Sequence, residues 1–273
     1  MYNKTIKLFL MDGEADGRIK CEISNSNLIA FKIPKIKLKD CKDRSDINYS
    51  GVYILIGEKN DKECIYIGQS DKLYKRMVQH LTDKDYWNEC ILFTRTDNSF
   101  NTGNILYLED FLYNLAKENN RVEIDTQRTN NISLTENEVA EMEEVIDIIK
   151  IFTNVLGFKY FEKIKEKSEV LNEELLYINS IGLHAEGIQT EEGFVVFKDS
   201  QSNDVFKEAS NDTLRKKWKE LREQGIIVNN VFVRDTMFGS PSTAAAMVLG
   251  RNANGLTEWK NKEKVPLKKI IDI

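Results

Sequence analysis

Glu109 sits in the stretch "TGNILYLEDFLYNLAKE", where apolar residues recur at helical spacing. At about 100° per residue, Ile105, Leu112 and Ala116 fall on one side with Leu108 and Leu115 flanking. Glu109 lies inside that arc and Asp110 outside it. A carboxylate aimed at a core needs a cationic partner, a metal ion or a cleft. Two readings stand: a rim Glu paired with Arg or Lys, or a metal ligand.

A second group lies upstream in "GVYILIGEKNDKECIYIGQSDKLYKRMVQH", residues 51–80. Strand alternation puts Val52, Ile54 and Ile56 on one face of the first run and Tyr53 and Leu55 on the other. In the second run Ile65 and Ile67 oppose Tyr66 and Gly68. With matching register the two tyrosines share a surface, and Gly68 keeps it open beside them. Behind them, Leu73, Met77 and Leu81 make a helical apolar stripe, with Arg76 and His80 one turn apart at its edge. Taken alone, the tyrosines read as packing, and the Arg–His pair reads as the wet face of an amphipathic helix.

Taken together, these residue types suit phosphodiester hydrolysis. A single Mg²⁺ on Glu109 could polarise a phosphate oxygen and stabilise a leaving 3′ oxygen. Arg76 offers a fixed fork of donors to charge building on the phosphate. A tyrosine hydroxyl, its pKa lowered by the metal and Arg76, could take a proton from the attacking water, with His80 assisting. Periodicity supplies the residues; their convergence is a matter for the fold.

The elements that must position them follow from the pattern. Residues 1–48 hold short β-like runs such as "TIKLFLM" and "NLIAFKIPKIKL", a β-rich extension that could be a separate subdomain. Residues 49–160 alternate strands and helices and read as an α/β unit. Within it Thr135 is expected to cap a helix, with Glu138 three residues on, and that helix ends near Gly157. Residues 161–180 are charge-rich and read as a helical linker. Residues 181–273 form a second module with a hairpin, "GIQTEEGFVVFKDS", and a basic helix, "DTLRKKWKELREQG". There "TAAAMVLG" reads as a packed helix capped by Ser240 or Ser242.

Composition bounds the function. With 273 residues, 41% of them hydrophobic, the chain can build two cored domains. A net charge of -5 argues against a generally basic nucleic-acid coat, while leaving room for a local basic surface. Cys21, Cys41, Cys64 and Cys90 form no CxxC pair, so a reduced, cytoplasmic chain without structural zinc is expected. No stretch is long enough to span a membrane.

"GVY" at 51–53 and "YIG" at 66–68, then Arg76, His80 and helical Glu109, resemble the GIY-YIG nuclease family in order and spacing. The resemblance implies an α+β catalytic domain around a three-stranded antiparallel sheet flanked by helices. It implies a Mg²⁺- or Mn²⁺-dependent cut in DNA, double-stranded or branched, leaving 5′-phosphate and 3′-hydroxyl, by a monomer that could dimerise transiently on its substrate. Tyr53 would be the proton acceptor for the nucleophilic water, and Tyr66 would position water or phosphate beside Gly68. Arg76 would be the electrophilic clamp, His80 the support of Tyr53, and Glu109 the metal ligand. Where the family often has an asparagine, this chain reads "DTQRTNN", with Asn130 or Asn131 as the available substitutes.

"SPSTAAAMVLGRNANGLTEWK", residues 240–260, is similar to a small domain of uncharacterised function, DUF4357, with Leu256 in place of a usual tryptophan and Trp259 retained. That resemblance implies a C-terminal α/β accessory domain that binds DNA or reads a modified base. Arg215, Lys216 and Arg251 are its expected phosphate contacts.

Overall fold

The computed structural model describes residues 3–60, 62–125, 133–163, 175–180, 182–207 and 212–271. The chain divides into two compact units, Met1–Glu162 and Lys163–Ile273.

The first unit is built on one seven-stranded sheet. Its strands are β1 (Ile6–Leu10), β2 (Ile19–Ile23), β3 (Leu28–Pro34), β4 (Gly51–Lys59), β5 (Lys62–Ser70), β6 (Trp87–Arg95) and β7 (Glu123–Ile124), in the order β1-β2-β3-β6-β4-β5-β7. The expected antiparallel triplet is its centre, β6-β4-β5. The N-terminal strands are not a separate subdomain, because β3 pairs along β6 from Leu28↔Arg95 to Pro34↔Glu89. The reason lies in β6, where residues 90–95 are all buried. A strand buried on both faces needs hydrogen-bonding partners on both sides, and β3 supplies the second. At the far edge β7 runs parallel to β5.

Alternation along β4 and β5 sorts side chains into two cores. Val52, Ile54, Ile56, Ile65 and Ile67 share a cluster with α2 (Thr102–Asn119) and α3 (Glu136–Val155), through Ile105, Leu108, Leu112 and Ile149. Tyr53 and Leu55 belong to the other cluster, with Leu73 and Met77 of α1 (Leu73–Asp83) and with Trp87 and Leu92. Both long helices begin at a capping box, Asn101 with Asn104 and the expected Thr135 with Glu138. Past α3, Gly157 takes φ +97°, a left-handed conformation that suits glycine and ends the helix.

The second unit has a four-stranded antiparallel sheet, ordered β13 (Thr236–Phe238), β10 (Gly193–Val196), β9 (Leu183–Thr190), β8 (Leu176–Ser180). A short ribbon pairs β11 (Ile227–Val228) with β12 (Val231–Phe232), and α4 (Asp212–Glu223), α5 (Pro241–Leu249), α6 (Gly255–Glu258) and α7 (Leu267–Ile271) complete it. Residues 176–180 are a strand and not linker: Leu176 and Ile178 alternate into the core, a period that the charge-rich flank hid. Residues 164–174 of the expected linker lie outside the described residues.

Candidate active site

The site grows from the β4–β5 register, which sets Tyr53 opposite Gly68 and Leu55 opposite Tyr66. The tyrosines are therefore diagonal neighbours on the α1 side, with ring centroids 6.1 Å apart and planes at 27°. Tyr53 crosses β5 directly over Gly68, where a Cβ would overlap its hydroxyl and the Tyr66 ring. Glycine at 68 is thus a packing requirement of Tyr53.

Helix α1 brings the polar pair. His80 is 2% exposed, with Nε2 2.8 Å from the Tyr53 hydroxyl and its ring edge-on to Tyr66 at 5.5 Å. Arg76 Nε donates to the Tyr53 oxygen at 3.3 Å, and another guanidinium N–H donates to Gln79 Oε1 at 3.1 Å. A guanidinium can only donate, so the Tyr53 oxygen accepts from Arg76. The bond between the Tyr53 hydroxyl and His80 Nε2 runs from the phenol when the ring carries its proton on Nδ1, an atom that is buried without a hydrogen-bond partner. Burial, reinforced by the Arg76 and Lys84 charges and opposed by Asp83, pushes the His80 pKa down to about 4.

Tyr53 departs from expectation. Burial pushes its hydroxyl pKa above the usual value and outweighs the hydrogen bond from Arg76 that lowers it.

Glu109 arrives from α2, whose core side chains pack on the opposite face of the sheet. It meets the site at the end of β5, where its carboxylate accepts the backbone N–H of Gln69, next to Gly68. It is 6% exposed, and among the described residues no cation forms an ion pair with it. Burial pushes its pKa up to about 7, against the Gln69 N–H and the Arg76 charge.

Two tyrosines, a clamped arginine, a buried histidine and a buried glutamate thus meet at one strand end. The family model for the GIY-YIG catalytic domain matches residues 49–114, and that for DUF4357 matches residues 176–271. The chain carries both domains. No curated protein and no solved structure matches it. The GIY-YIG match spans all five site residues and ends inside α2, so β7 and α3 lie beyond it. The DUF4357 match begins with β8.

Among the described residues, no group of three His, Cys, Asp or Glu side chains could hold a metal. Glu109 is the buried carboxylate of the site, and the neighbouring Asp110 charge acts on it. That set fits Mg²⁺, which is ordinarily held by one or two carboxylates and completes its octahedron with waters and substrate phosphate oxygens. A desolvated, unpaired carboxylate is the observation that favours a cation there.

Sequence reasoning passed over two residues beside Tyr66. Lys84 Nζ lies 4.2 Å from the Tyr66 ring centroid and 2.8 Å from Asp125 Oδ2. Asp125 also holds Lys59 Nζ at 2.8 Å and accepts the Tyr86 hydroxyl at 3.1 Å. Neither is periodic, so pattern reading had no signal for them. Asn130 and Asn131 lie outside the described residues.

The other expected contacts are in the DUF4357 unit. Lys216 is exposed on α4, Arg215 is half-buried there, and Arg251 is paired with Glu258 at 2.8 Å. The motif of this unit folds it. Ser240 caps α5 through the Thr243 N–H at 3.1 Å, and Ser242 Oγ accepts the Gly255 N–H at 3.0 Å. Trp259 donates to the Pro241 carbonyl at 3.0 Å and packs on Phe194 with centroids 4.4 Å apart.

Proposed function

We propose that the chain is a divalent-metal-dependent DNA endonuclease that hydrolyses a phosphodiester bond and leaves 5′-phosphate and 3′-hydroxyl. The observation that carries the reading is the Tyr53 hydroxyl, held 2.8 Å from His80 Nε2 and 3.3 Å from Arg76 Nε, in a domain that also buries Glu109, which forms no ion pair among the described residues. Glu109 would hold Mg²⁺ or Mn²⁺, and the ion when bound would neutralise charge on the phosphate and the leaving 3′ oxygen.

The chain's own residues supply the proton path. A buried phenol with a raised pKa is a poor free phenolate, so Tyr53 works as a relay. It accepts a proton from the attacking water while its own proton passes to His80 Nε2. His80 is neutral near pH 7, and in the tautomer protonated at Nδ1 its Nε2 accepts that proton. The depressed pKa then makes its imidazolium a ready donor once product departs. Arg76 donates to the Tyr53 oxygen and also hydrogen-bonds Tyr66 and Gln79, and the N–H groups left over would meet charge developing on the phosphate. Tyr66 with Gly68 flanks the water or the phosphate.

Retention of DNA falls to the DUF4357 unit, where Lys216 on the exposed face of α4 is the clearest phosphate contact, and Arg215 and Arg251 are weaker ones because their side chains are partly engaged.

Cleavage of supercoiled plasmid and of a labelled branched DNA set with Mg²⁺ or Mn²⁺ tests this reading. Metal-dependent nicking should fall about 10²–10³-fold in Glu109→Ala and at least about 10²-fold in Tyr53→Phe. DNA binding without cutting under either metal would leave a nucleic-acid-binding protein of this fold. Cutting that survives Glu109→Ala would refute the site.

A further inference from the structure

The mechanism leaves Lys84 and Asp125 unused, yet they form the most heavily bonded cluster beside the site. Asp125 is fixed by its backbone, since its N–H donates to the Ile65 carbonyl at 2.8 Å directly after the two-residue pairing of β7 with β5. Its carboxylate then collects three donors, Lys59, Lys84 and Tyr86. Burial raises its pKa, but the lysines and Tyr86 prevail and hold it down at about 2. An exposed ion pair contributes little, but this pair is partly sheltered, with the Lys84 side chain 20% and the Asp125 side chain 24% exposed.

Lys84 is fixed from its other side as well. Its N–H donates to the His80 carbonyl at 3.4 Å, at the end of α1, and its carbonyl accepts Lys35 Nζ at 3.2 Å. The Trp87 indole donates to the same His80 carbonyl at 3.1 Å. Residues 84–87 therefore tie the end of the His80 helix to the chain that places the Lys84 ammonium on Tyr66. A cation on an aromatic face is attracted by the ring quadrupole, and on a phenol it also makes the hydroxyl a stronger donor.

Resting on the nuclease reading above, we propose that Lys84, anchored by Asp125, is a positioning residue of the site: its ammonium holds the Tyr66 ring against His80. Tyr66 then presents its hydroxyl to water or phosphate in a fixed direction. The charged and titratable groups around His80 are Arg76, Lys84 and Asp83, with the hydroxyls of Tyr53 and Tyr66. Burial is the main cause that lowers the His80 pKa, and the Lys84 charge adds to it after that of Arg76.

The test uses the full chain with ¹³C-labelled tyrosine, the Tyr66 ring signal being assigned with Tyr66→Phe. Lys84→Met and Asp125→Asn should both displace that signal and lower kcat for plasmid nicking about tenfold, with KM and its salt dependence unchanged. Lys84→Arg, which keeps the cation, should recover most of both. Lys59→Met removes a donor from Asp125 but no cation from Tyr66, and should leave the signal in place. A second readout is the His80 imidazole titration. The chain has two histidines, and His80 should titrate higher in Lys84→Met while His184 does not move. An unmoved Tyr66 signal in Lys84→Met would reduce the cluster to a surface ion pair and overturn the proposal. A raised, salt-dependent KM with unchanged kcat would make Lys84 a DNA contact and overturn it equally. If no DNA is cut under any condition, the nuclease reading fails by itself, and the two resonance measurements still decide whether Lys84 holds Tyr66.

Discussion

At the scale of the residue, His80 shows how burial sets chemistry. The folded ring titrates at about 4, against 6.5 for an ordinary histidine. Between those values the unfolded chain binds the extra proton and the folded chain does not, so stability falls as pH falls. Above pH 6.5 this contribution is fully present. Within the window the slope is at most about 1.4 kcal/mol per pH unit. Urea unfolding of the chain and of His80→Gln at pH 7.5, 6 and 5 isolates it, since groups not coupled to the ring cancel in the difference. The wild-type advantage should shrink steadily toward pH 5; parallel curves would show that the ring is not held neutral. Arg76→Lys is a second test at this scale. An ammonium cannot reproduce the Nε–H to the Tyr53 oxygen together with a second N–H to Gln79 in one plane. Activity should fall at least about tenfold with stability little changed, as read from nicking rates and urea midpoints.

At the scale of the element, period-2 alternation made much of the site legible. It divided the β4 and β5 side chains between the two cores that the structure forms, and helical period put Glu109 in the apolar arc of α2 where it is in fact buried. The pairing of β3 with β6 was not legible, because it joins residues about 60 positions apart and no local pattern specifies which strand fills an edge. The Lys84–Asp125 cluster escaped for the same reason: its members belong to connections and not to a periodic face. Gly68 is the residue at which element geometry and chemistry meet. Gly68→Ala puts a methyl group where the Tyr53 hydroxyl now lies, so the ring must leave His80. The variant should lose about 1–3 kcal/mol of stability by overpacking, and most of its nicking activity. Gly239→Ala, where an added Cβ meets nothing within 4 Å, is the matched control and should be neutral in both measurements. Equal effects at the two positions would detach Gly68 from the site.

At the scale of the molecule, each of the two units has hydrophobic cores of its own. The cores around α2, α3 and α1 draw their buried residues from Ile19 to Phe161, and those around α5 and the second sheet draw theirs from Leu175 to Leu267. Units of about 160 and about 110 residues are each large enough to bury a self-sufficient core. Every site residue of the GIY-YIG domain, with Lys84 and Asp125, lies in the first. Residues 1–162 alone should therefore fold cooperatively and keep the catalytic geometry, while losing affinity for DNA if the second unit holds the substrate. The tryptophans make the separation measurable, because Trp87 reports the first unit, and Trp218 and Trp259 report the second. In the full chain, urea unfolding followed by fluorescence in Trp87→Phe should track the second unit, and its midpoint should match that of residues 163–273 expressed alone. With residues 1–162, metal-dependent nicking should persist at high protein concentration, with KM for DNA raised and kcat retained. A first unit that cannot fold without the second would show that the boundary after Glu162 cuts a shared core. A folded first unit with unchanged KM would show that the DUF4357 domain contributes no hold on the substrate, and the basic face of α4 would then need another partner.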